Sequence, residues 1–256
     1  GVTYVYIAIR RPDPLVQKPI ELGTDVFAMD TGAASSTIPN FDSGFPVDFA
    51  MARQVGGYAN YDTGARLIQG KYLSTNSTNS ENTGSNMIFD SNVGWNNYST
   101  WSSSAQSWMW KRHAGFDVVA YTGNGTVGRQ IPHNLSKTPE MIWVKNRSLS
   151  QSWVCYHKGL NGGTTPWEHY IYLNSNTASV DDSQFWNDTA PTSTHVTTGQ
   201  STENNHSGSN NLMMLFASVD GISKVGYYDG SNSAQTITTG FQPRFVILRN
   251  VGGGHW

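Results

Sequence analysis

PEMIWVKNRS, residues 139–148, decides how this chain folds, because its pattern occurs three times. In each copy a proline is followed by a charged residue, four apolar residues, a basic residue and a side-chain amide. The copies are 48–54 (DFAMARQ), 140–146 (EMIWVKN) and 244–250 (RFVILRN). Four apolar residues bounded by charge are typical of a strand that is buried on both faces, not of a helix. We call this predicted element the organising strand.

Other segments repeat in step with the organising strand. An opening strand is predicted before it, at Asp25–Asp30, Asp117–Thr122 and Lys224–Asp229. Downstream, Tyr61–Gly64 matches Tyr156–Gly159. A last apolar strand occurs at Tyr4–Ile9, Trp108–Trp110 and Leu212–Phe216, with Tyr4, Trp108 and Met213 in equivalent positions. The repeat period is therefore about 105 residues.

A period of this length predicts domains, because solenoids and propeller blades repeat every 20–50 residues or so. We expect each copy to have its own core, like beads on a string. The predicted boundaries are 1–12 for the last strand of a preceding repeat, 22–113 for repeat A, 115–219 for repeat B and 221–256 for the opening strands of a third copy. The chain is expected to be a piece of a longer protein.

The composition favours an all-β fold. Nine Trp, 12 Tyr and 10 Phe occur beside 26 Gly and many Asn, Ser and Thr, which is typical of short aromatic strands joined by polar turns. We predict tandem antiparallel β-sandwich domains of about 105 residues, either jelly-roll-like or immunoglobulin-like. The single cysteine, Cys155, cannot form an intrachain disulfide, so we expect it to be buried inside a strand.

Charge and hydropathy exclude two classes of partner. Sixteen Lys and Arg nearly balance 18 Asp and Glu, so the electrostatic footprint of a nucleic-acid-binding protein is missing from the sequence. The sequence also has no apolar run of the roughly 18 or more residues that a membrane span needs, which predicts no membrane insertion.

No catalytic or metal motif stands out. The seven histidines lack HExxH spacing, and none of the five glutamates lies in a glycosidase-like pair, so we predict no catalytic residues, metal or cofactor and a protein that is not an enzyme. Asp181, Asp182 and Asp188 could offer oxygen ligands to calcium, but they lack the spacing of a calcium loop, and solvated loop acids are the favoured interpretation.

Tryptophans in polar stretches are the candidate ligand-binding residues. Trp95, Trp101, Trp167, Trp186 and Trp256 lie in or beside predicted loops, where flat aromatic faces could stack on sugar rings. The competing interpretation, which we weight higher, is that these side chains close the ends of a sandwich. The glycan-binding hypothesis rests on Trp167, Trp186 and Trp95.

Four segments carry a resemblance to a known module: YVYIAIRRP (4–12), FDVVAYTGNGTVGRQIPHNLSKTPEMIWVKNR (116–147), WNDTAPTS (186–193) and GFQPRFVILRN (240–250). They resemble an uncharacterised repeat of bacteriophage virion proteins, found in tail-fibre-like and other structural proteins of marine and aquatic phages. Repeat A departs from the pattern, because Met29–Gly32 replaces the tyrosine turn and Val47 is an extra residue.

The resemblance implies a virion component built from several such modules. The expected role is a non-enzymatic structural and adhesive segment of a tail fibre, spike or surface appendage, located in the extracellular particle. Its expected partners are other virion proteins, further copies of itself in a homo-oligomer and host-surface glycan. The alternatives are a host-glycan-binding receptor-recognition module and a glycan-degrading tail protein. Solvent-facing loop aromatics would favour the first alternative, and two facing carboxylates in a groove the second.

Overall fold

The computed structural model describes residues 22–33, 39–56, 60–84, 87–97 and 104–254. The predicted strand Tyr4–Ile9 lies outside these residues, as do Trp101 and Trp256. The described chain is nearly all β, with antiparallel pairing throughout its sheets, which confirms the predicted fold class. No helix among the described residues is long and apolar enough to cross a membrane.

The strands of the two repeats are short and follow one another closely. Repeat A contains β1 (Phe27–Thr31), β2 (Phe41–Asp42), β3 (Phe49–Gln54), β4 (Asp62–Ala65), β5 (Lys71–Ser74), β6 (Asn82–Thr83), β7 (Met87–Ile88), β8 (Gly94–Asn97) and β9 (Ala105–Trp110). Repeat B contains β10 (Phe116–Thr122), β11 (Arg129–Pro132), β12 (Met141–Asn146), β13 (Val154–His157), β14 (His169–Tyr172), β15 (Val180–Asp181), β16 (His195–Thr198) and β17 (Asn210–Phe216). Single helical turns lie at Gly23–Asp25, Arg66–Ile68, Leu160–Gly163, Pro166–Glu168 and Ser183–Trp186.

The two repeats have the same main sheet. Sheet A has the order β1-β9-β3-β4-β5-β6, and sheet B has the order β10-β17-β12-β13-β14-β15. The organising strand is β3 in one sheet and β12 in the other, and both lie third in the order. In each sheet the last strand of the repeat, β9 or β17, lies between the opening strand and the organising strand.

The observed register corrects three of the sequence matches. Phe27 lies opposite Trp110 and Phe116 lies opposite Phe216, at the ends of the two last strands, so Phe27 is equivalent to Phe116 and the predicted match of Asp25–Asp30 with Asp117–Thr122 is wrong by three residues.

Trp108 lies opposite Met51, and the corresponding Trp143 lies opposite Met214, so Trp108 is equivalent to Met214 and not to Met213. A one-residue slip turns every side chain to the other face of a strand, and a run of apolar residues such as Leu212–Phe216 cannot reveal it. β4 pairs with β3 as β13 pairs with β12, so Asp62–Ala65 is equivalent to Val154–His157. The predicted match of Tyr61–Gly64 with Tyr156–Gly159 is therefore shifted.

Three hydrophobic cores separate four layers of structure. One core lies between sheet A and the small sheet of β2, β8 and β7, and another lies between sheet B and the β11–β16 pair with the helical turn Ser183–Trp186. The third core is shared by both repeats. Its buried members include Phe49, Met51, Leu73 and Trp110 from repeat A and Phe116, Trp143, Trp153, Ile171 and Met214 from repeat B.

Each repeat has an outer core of its own, as expected, but the third core, which both repeats share, was not predicted. The inner faces of the two main sheets are both apolar, and each removes the other from water, so the repeats pack on one another rather than hanging on a linker. Repeats A and B are therefore held together by burial across the repeat boundary near 114, which the repetition in sequence does not indicate.

Buried polar contacts also lock repeat B onto repeat A. The Lys145 side chain is fully buried, and its Nζ donates to the Thr78 carbonyl of repeat A at 3.1 Å. The indole Nε1 of Trp153 donates to the Ser74 carbonyl at 2.9 Å. Arg147 and Glu81 form a salt bridge of 2.7 Å at the margin of the same contact. Because these groups are directional, they fix one relative orientation of the two sheets.

The two strands predicted for the third copy are not part of any sheet formed by the described residues. The segments Lys224–Asp229 and 244–250 have no ladder partner among the described residues. In sheets A and B the corresponding strands both pair with the last strand of their own repeat, and residues 221–254 contain no counterpart of that strand. The third copy nevertheless packs on the shared core through Val225, Phe245 and Ile247.

Candidate functional site

The two main sheets differ most in one connection. In repeat A, residues 66–70 join β4 to β5 through the turn Arg66–Ile68. In repeat B, residues 158–168 join β13 to β14, and we call this longer connection the B loop. Loops on a rigid frame are where binding residues concentrate, so an extension in one of two matched repeats is a candidate site.

The B loop holds a strained backbone in place with side-chain hydrogen bonds. Asn161 has φ of 50° and Thr165 has φ of 88°, a left-handed region that residues with a Cβ rarely adopt. The Thr165 hydroxyl accepts from Asn161 Nδ2 at 3.2 Å and donates to Glu168 Oε2 at 2.7 Å. Strain of this kind, worth about 1–3 kcal/mol per residue, persists where surrounding contacts fix the conformation.

The B loop also contacts the third copy. The Tyr227 ring packs over Gly159 and Gly163, and a Cβ at Gly159 would lie 2.4 Å from the Tyr227 Cβ. Glycine is therefore required at Gly159 by close approach. This contact fixes one side of the loop and leaves its other side, which carries Trp167 and Glu168, toward β15.

Three ligand-type side chains meet beside the loop. A carboxylate oxygen from each of Glu168 and Asp181 and a ring nitrogen of His169 all lie within 4.8 Å of one another. His169 and Asp181 are cross-strand partners in β14 and β15, with Nε2 and Oδ2 3.9 Å apart. An imidazole with two carboxylates is a donor set that divalent cations accept, and it also suits hydrogen bonding to polyhydroxyl ligands.

Repeat A has a different pair at the same positions. Lys71 lies opposite Thr83 there, and the Lys71 Nζ donates to the Thr83 hydroxyl at 2.9 Å. The cluster of Glu168, His169 and Asp181 is thus confined to repeat B within the described pairs of strands. The same frame carries a simple cross-strand contact in one copy and three ligand-type groups in the other.

The burial of two candidate tryptophans corrects the predicted glycan site. Trp95 is fully buried, stacks between Phe41 and Phe89, and donates from Nε1 to the Ser107 hydroxyl at 3.0 Å. Trp186 is 2% exposed in the outer core of repeat B. Neither face can stack on a sugar in this conformation, because both tryptophans fill the space between layers, as the competing interpretation held.

Trp167 is the one of the three that remains accessible. It is half-buried, with part of its ring against the outer core of repeat B, and it precedes Glu168 and His169 in the chain. A ring held by packing on one side and open on the other is preorganised for stacking, because little side-chain entropy remains to be lost.

The other candidate acids and histidines have structural roles. Asp182 caps the helical turn Ser183–Trp186 by accepting from Gln184 N at 2.9 Å, and so does not join Asp181 in a calcium loop. Burial lowers the pKa of His157 to about 4, so the imidazole, whose Nδ1 accepts from Gly159 N at 3.0 Å, is neutral at pH 7. Cys155 is fully buried in β13, as predicted, and burial raises the pKa of its thiol.

A shallow cleft of about 340 Å³ lies at the start of β12. It is lined by Glu140 and Lys158, which form an ion pair with each other, and by Lys137, which donates to the Ser218 carbonyl at 3.1 Å. Burial alone would raise the pKa of Glu140, but hydrogen bonds from Lys158 and Ser218 outweigh it and lower the pKa. The charged groups of the cleft are therefore engaged, Glu140 with Lys158 and Lys137 with a backbone carbonyl.

The sequence missed the cluster of Glu168, His169 and Asp181 because Asp181 lies 12 residues beyond His169 and no motif joins them. The alternation of β14 and β15 offered the only signal, since a hairpin that places His169 opposite Asp181 brings both to one face.

Comparison with known families gives one match. Residues 63–256 match the family described as "Domain of unknown function (DUF7483)". The chain belongs to the DUF7483 family. The matched region of the DUF7483 domain begins in β4, spans the B loop and all of repeat B, and runs through the third copy. No match to the chain was found among curated proteins or solved structures.

Proposed function

We propose that this chain is a non-enzymatic structural and adhesive segment of a phage virion protein, such as a tail fibre, spike or surface appendage. One observation carries the proposal: two repeats with the same strand order pack on one shared core and are cross-linked by buried directional contacts. A unit built in this way resists bending at the repeat boundary, which suits a load-bearing extracellular rod. The proposed location in a phage particle comes from the resemblance of residues 116–147 and 240–250 to a repeat of phage virion proteins.

Stiffness at the repeat boundary follows from the burial of the contacts that cross it. Lys145 and Trp153 are both fully buried, so their bonds to Thr78 and Ser74 are made away from competing water. Opening the interface would expose the inner apolar faces of both sheets to water and exchange these hydrogen bonds for bonds to water, at a net cost of about 0.5–1.5 kcal/mol each. Further copies of the chain and neighbouring virion proteins are the partners we propose for the outer surfaces.

Purified virions provide the test of the proposed location. Antibodies raised against the purified chain should label intact purified virions of the phage that encodes it, and mass spectrometry of those virions should recover its peptides at structural-protein abundance. Finding the chain only in infected-cell lysate, and never in purified particles, would refute a virion role.

A second candidate function is the binding of host-surface glycan at the B loop. The observation that favours it is the half-buried Trp167, which precedes Glu168 and His169 of the cluster with Asp181 on a loop longer than its counterpart in repeat A. Aromatic stacking with adjacent carboxylates and an imidazole offers the apolar face and the polar groups that sugar rings present. Weak single sites would be multiplied by repetition along a fibre.

Glycan cleavage would distinguish a glycan-degrading tail protein from the adhesive role proposed here. Glu168 and Asp181 have carboxylate oxygens within 4.8 Å, but the Asp181 side chain is 67% exposed, so no closed groove surrounds the pair. The purified chain should bind host polysaccharide and release no oligosaccharide from it. Sustained release that Glu168→Gln or Asp181→Asn abolishes would replace the adhesive role with an enzymatic one.

A further inference from the structure

The edge hairpins of the two main sheets carry different charges at equivalent positions. β5 pairs with β6 as β14 pairs with β15, so Lys71 corresponds to His169 and Thr83 corresponds to Asp181. In repeat A the Lys71 ammonium donates from Nζ to the Thr83 hydroxyl at 2.9 Å. The edge of repeat A therefore contains its own cation, which joins β5 to β6.

Repeat B replaces this lysine with a histidine and adds two carboxylates at the same edge. An oxygen from each of Glu168 and Asp181 and a ring nitrogen of His169 lie within 4.8 Å of one another. Within the described ranges, neither carboxylate forms an ion pair with a lysine or an arginine. Two carboxylates this close repel each other, and a cation shared between them would replace the repulsion with attraction.

The three ligand atoms are close enough to share one ion. In a tetrahedral zinc site, with ligands about 2.0–2.1 Å from the metal, neighbouring ligand atoms lie about 3.3 Å apart. The Nε2 of His169 and the Oδ2 of Asp181 are 3.9 Å apart, and the Asp181 side chain is 67% exposed, so it has room to move toward the imidazole. A small side-chain movement therefore brings the set to coordination distance.

The chain holds Glu168 in place for coordination. Its backbone N donates to the Thr165 carbonyl at 3.1 Å, and its carbonyl accepts from Asp182 N at 2.9 Å. Its Oε2 accepts from the Thr165 hydroxyl at 2.7 Å. His169 and Asp181 are held by the pairing of β14 with β15. Ligating carboxylates are commonly oriented by such outer hydrogen bonds, so the ligands of this set are positioned before an ion arrives.

We propose that Glu168, His169 and Asp181 bind one divalent cation of the zinc type, which joins the B loop to β15 as Lys71 joins β5 to β6. Imidazole together with carboxylates suits Zn²⁺ and its transition-metal neighbours, whereas Ca²⁺ and Mg²⁺ take oxygen ligands. Three protein ligands leave at least one coordination position open to water or to an oxygen of another molecule. The site does not depend on the glycan-binding function considered above for the B loop.

Calorimetric titration of the full chain, without a histidine tag, with zinc chloride tests the site. The wild type should show one Zn²⁺ site, and Asp181→Asn should weaken it by at least about 10-fold, because a ligating charge is lost. Asp188→Asn makes the same chemical change at an exposed acid of repeat B outside the cluster, at a left-handed φ of 46° that asparagine tolerates, and should leave the affinity unchanged. Absence of zinc binding, or equal affinity in all three chains, would overturn the proposal.

A double variant that copies repeat A separates loss of metal binding from loss of folding. His169→Lys/Asp181→Thr installs the pair that Lys71 and Thr83 form on the same frame, so it should fold as the wild type does. Zinc should raise the unfolding temperature of the wild type, because an ion that binds only the folded state stabilises it, and should leave that of the double variant unchanged. An equal rise in both chains would place the zinc outside the cluster and contradict the proposal.

Competition between ions tests the class of cation. A large excess of Ca²⁺ should leave Zn²⁺ bound, because Ca²⁺ takes six to eight oxygen ligands and one of the three groups of the cluster is a nitrogen donor. Displacement of zinc from the wild type by calcium would overturn the assignment to a zinc-type cation.

Discussion

Repeats A and B share a frame and differ in what the frame carries. Their main sheets have the same strand order and meet in one core, yet the short turn 66–70 of repeat A is replaced by the B loop, and the Lys71–Thr83 contact by the cluster around His169. The inner faces of the sheets are constrained by mutual burial, whereas a surface connection such as the one between β13 and β14 tolerates added residues.

The largest effect is expected at the shared core. Trp143 is 1% exposed and lies against Phe216 with ring centroids 4.9 Å apart, so Trp143→Ala should reduce the free energy of unfolding by about 3–5 kcal/mol. Denaturant titration of the full chain measures it. Trp108→Ala, at a half-buried position of the same core, should cost less. A loss below roughly 1 kcal/mol for Trp143→Ala would mean that the two inner faces do not pack as one core.

A smaller, pH-dependent effect is expected from Lys145. Burial lowers its pKa to about 8, well below that of an exposed lysine, so the unfolded chain binds more protons than the folded chain between about pH 8 and pH 10. The free energy of unfolding contributed by this group should therefore rise by about 1–2 kcal/mol as pH increases through that range. Subtracting the pH profile of Lys145→Met from that of the wild type isolates the contribution.

In repeat A, the contribution of Asp62 to the free energy of unfolding should fall as pH increases, which is opposite to the effect of Lys145. Burial raises its pKa to about 6, against a hydrogen bond from Ser74 that lowers it, and the equivalent residue in repeat B is the buried Val154. The folded chain holds the extra proton, so its contribution to stability is present below about pH 4 and lost as pH rises through 6. Asp62→Asn should raise the unfolding free energy at pH 7 by about 1 kcal/mol and have no benefit at pH 4. Equal gains at both pH values would show that ionisation is not the cause.

The smallest effect on stability is expected at the B loop. Trp167→Ala should change the unfolding free energy by no more than about 1 kcal/mol while reducing binding of the chain to immobilised host polysaccharide several-fold. Tyr228→Ala removes a 49%-exposed aromatic outside the B loop and should leave binding unchanged. Binding that survives Trp167→Ala but not Tyr228→Ala would move the adhesive surface from repeat B to the third copy.

The sequence predicted which segments form strands better than it predicted how the strands of the two repeats align. The organising strands at 48–54 and 140–146, the burial of Cys155 and the all-β class follow from local pattern, since alternation and short apolar runs report on burial directly. The predicted equivalence of residues in β9 and β17 was wrong by one residue, because a run that is apolar on both faces of a strand gives the same sequence signal in either alignment.

The candidate site was only partly predictable. Trp167 was identified as a loop aromatic, but Trp95 and Trp186 share its sequence environment and are buried. Polar flanking residues do not distinguish a ring that faces water from one that plugs a sandwich, because the short turns around both kinds are equally polar. The carboxylates of Glu168 and Asp181 meet His169 through a cross-strand pairing that has no local signature.

By itself the sequence determined the repetition, the β class and which short segments become buried strands, because each of these depends on residues within a few positions of one another. Only the tertiary structure decided that the repeats share a core, that Lys145 and Arg249 reach carbonyls of the preceding copy, and that the third copy contacts both of the others. The physical reason is that hydrophobic burial is non-directional: an apolar face specifies that it must be covered, and the partner that covers it is set by which surfaces the folded chain brings together.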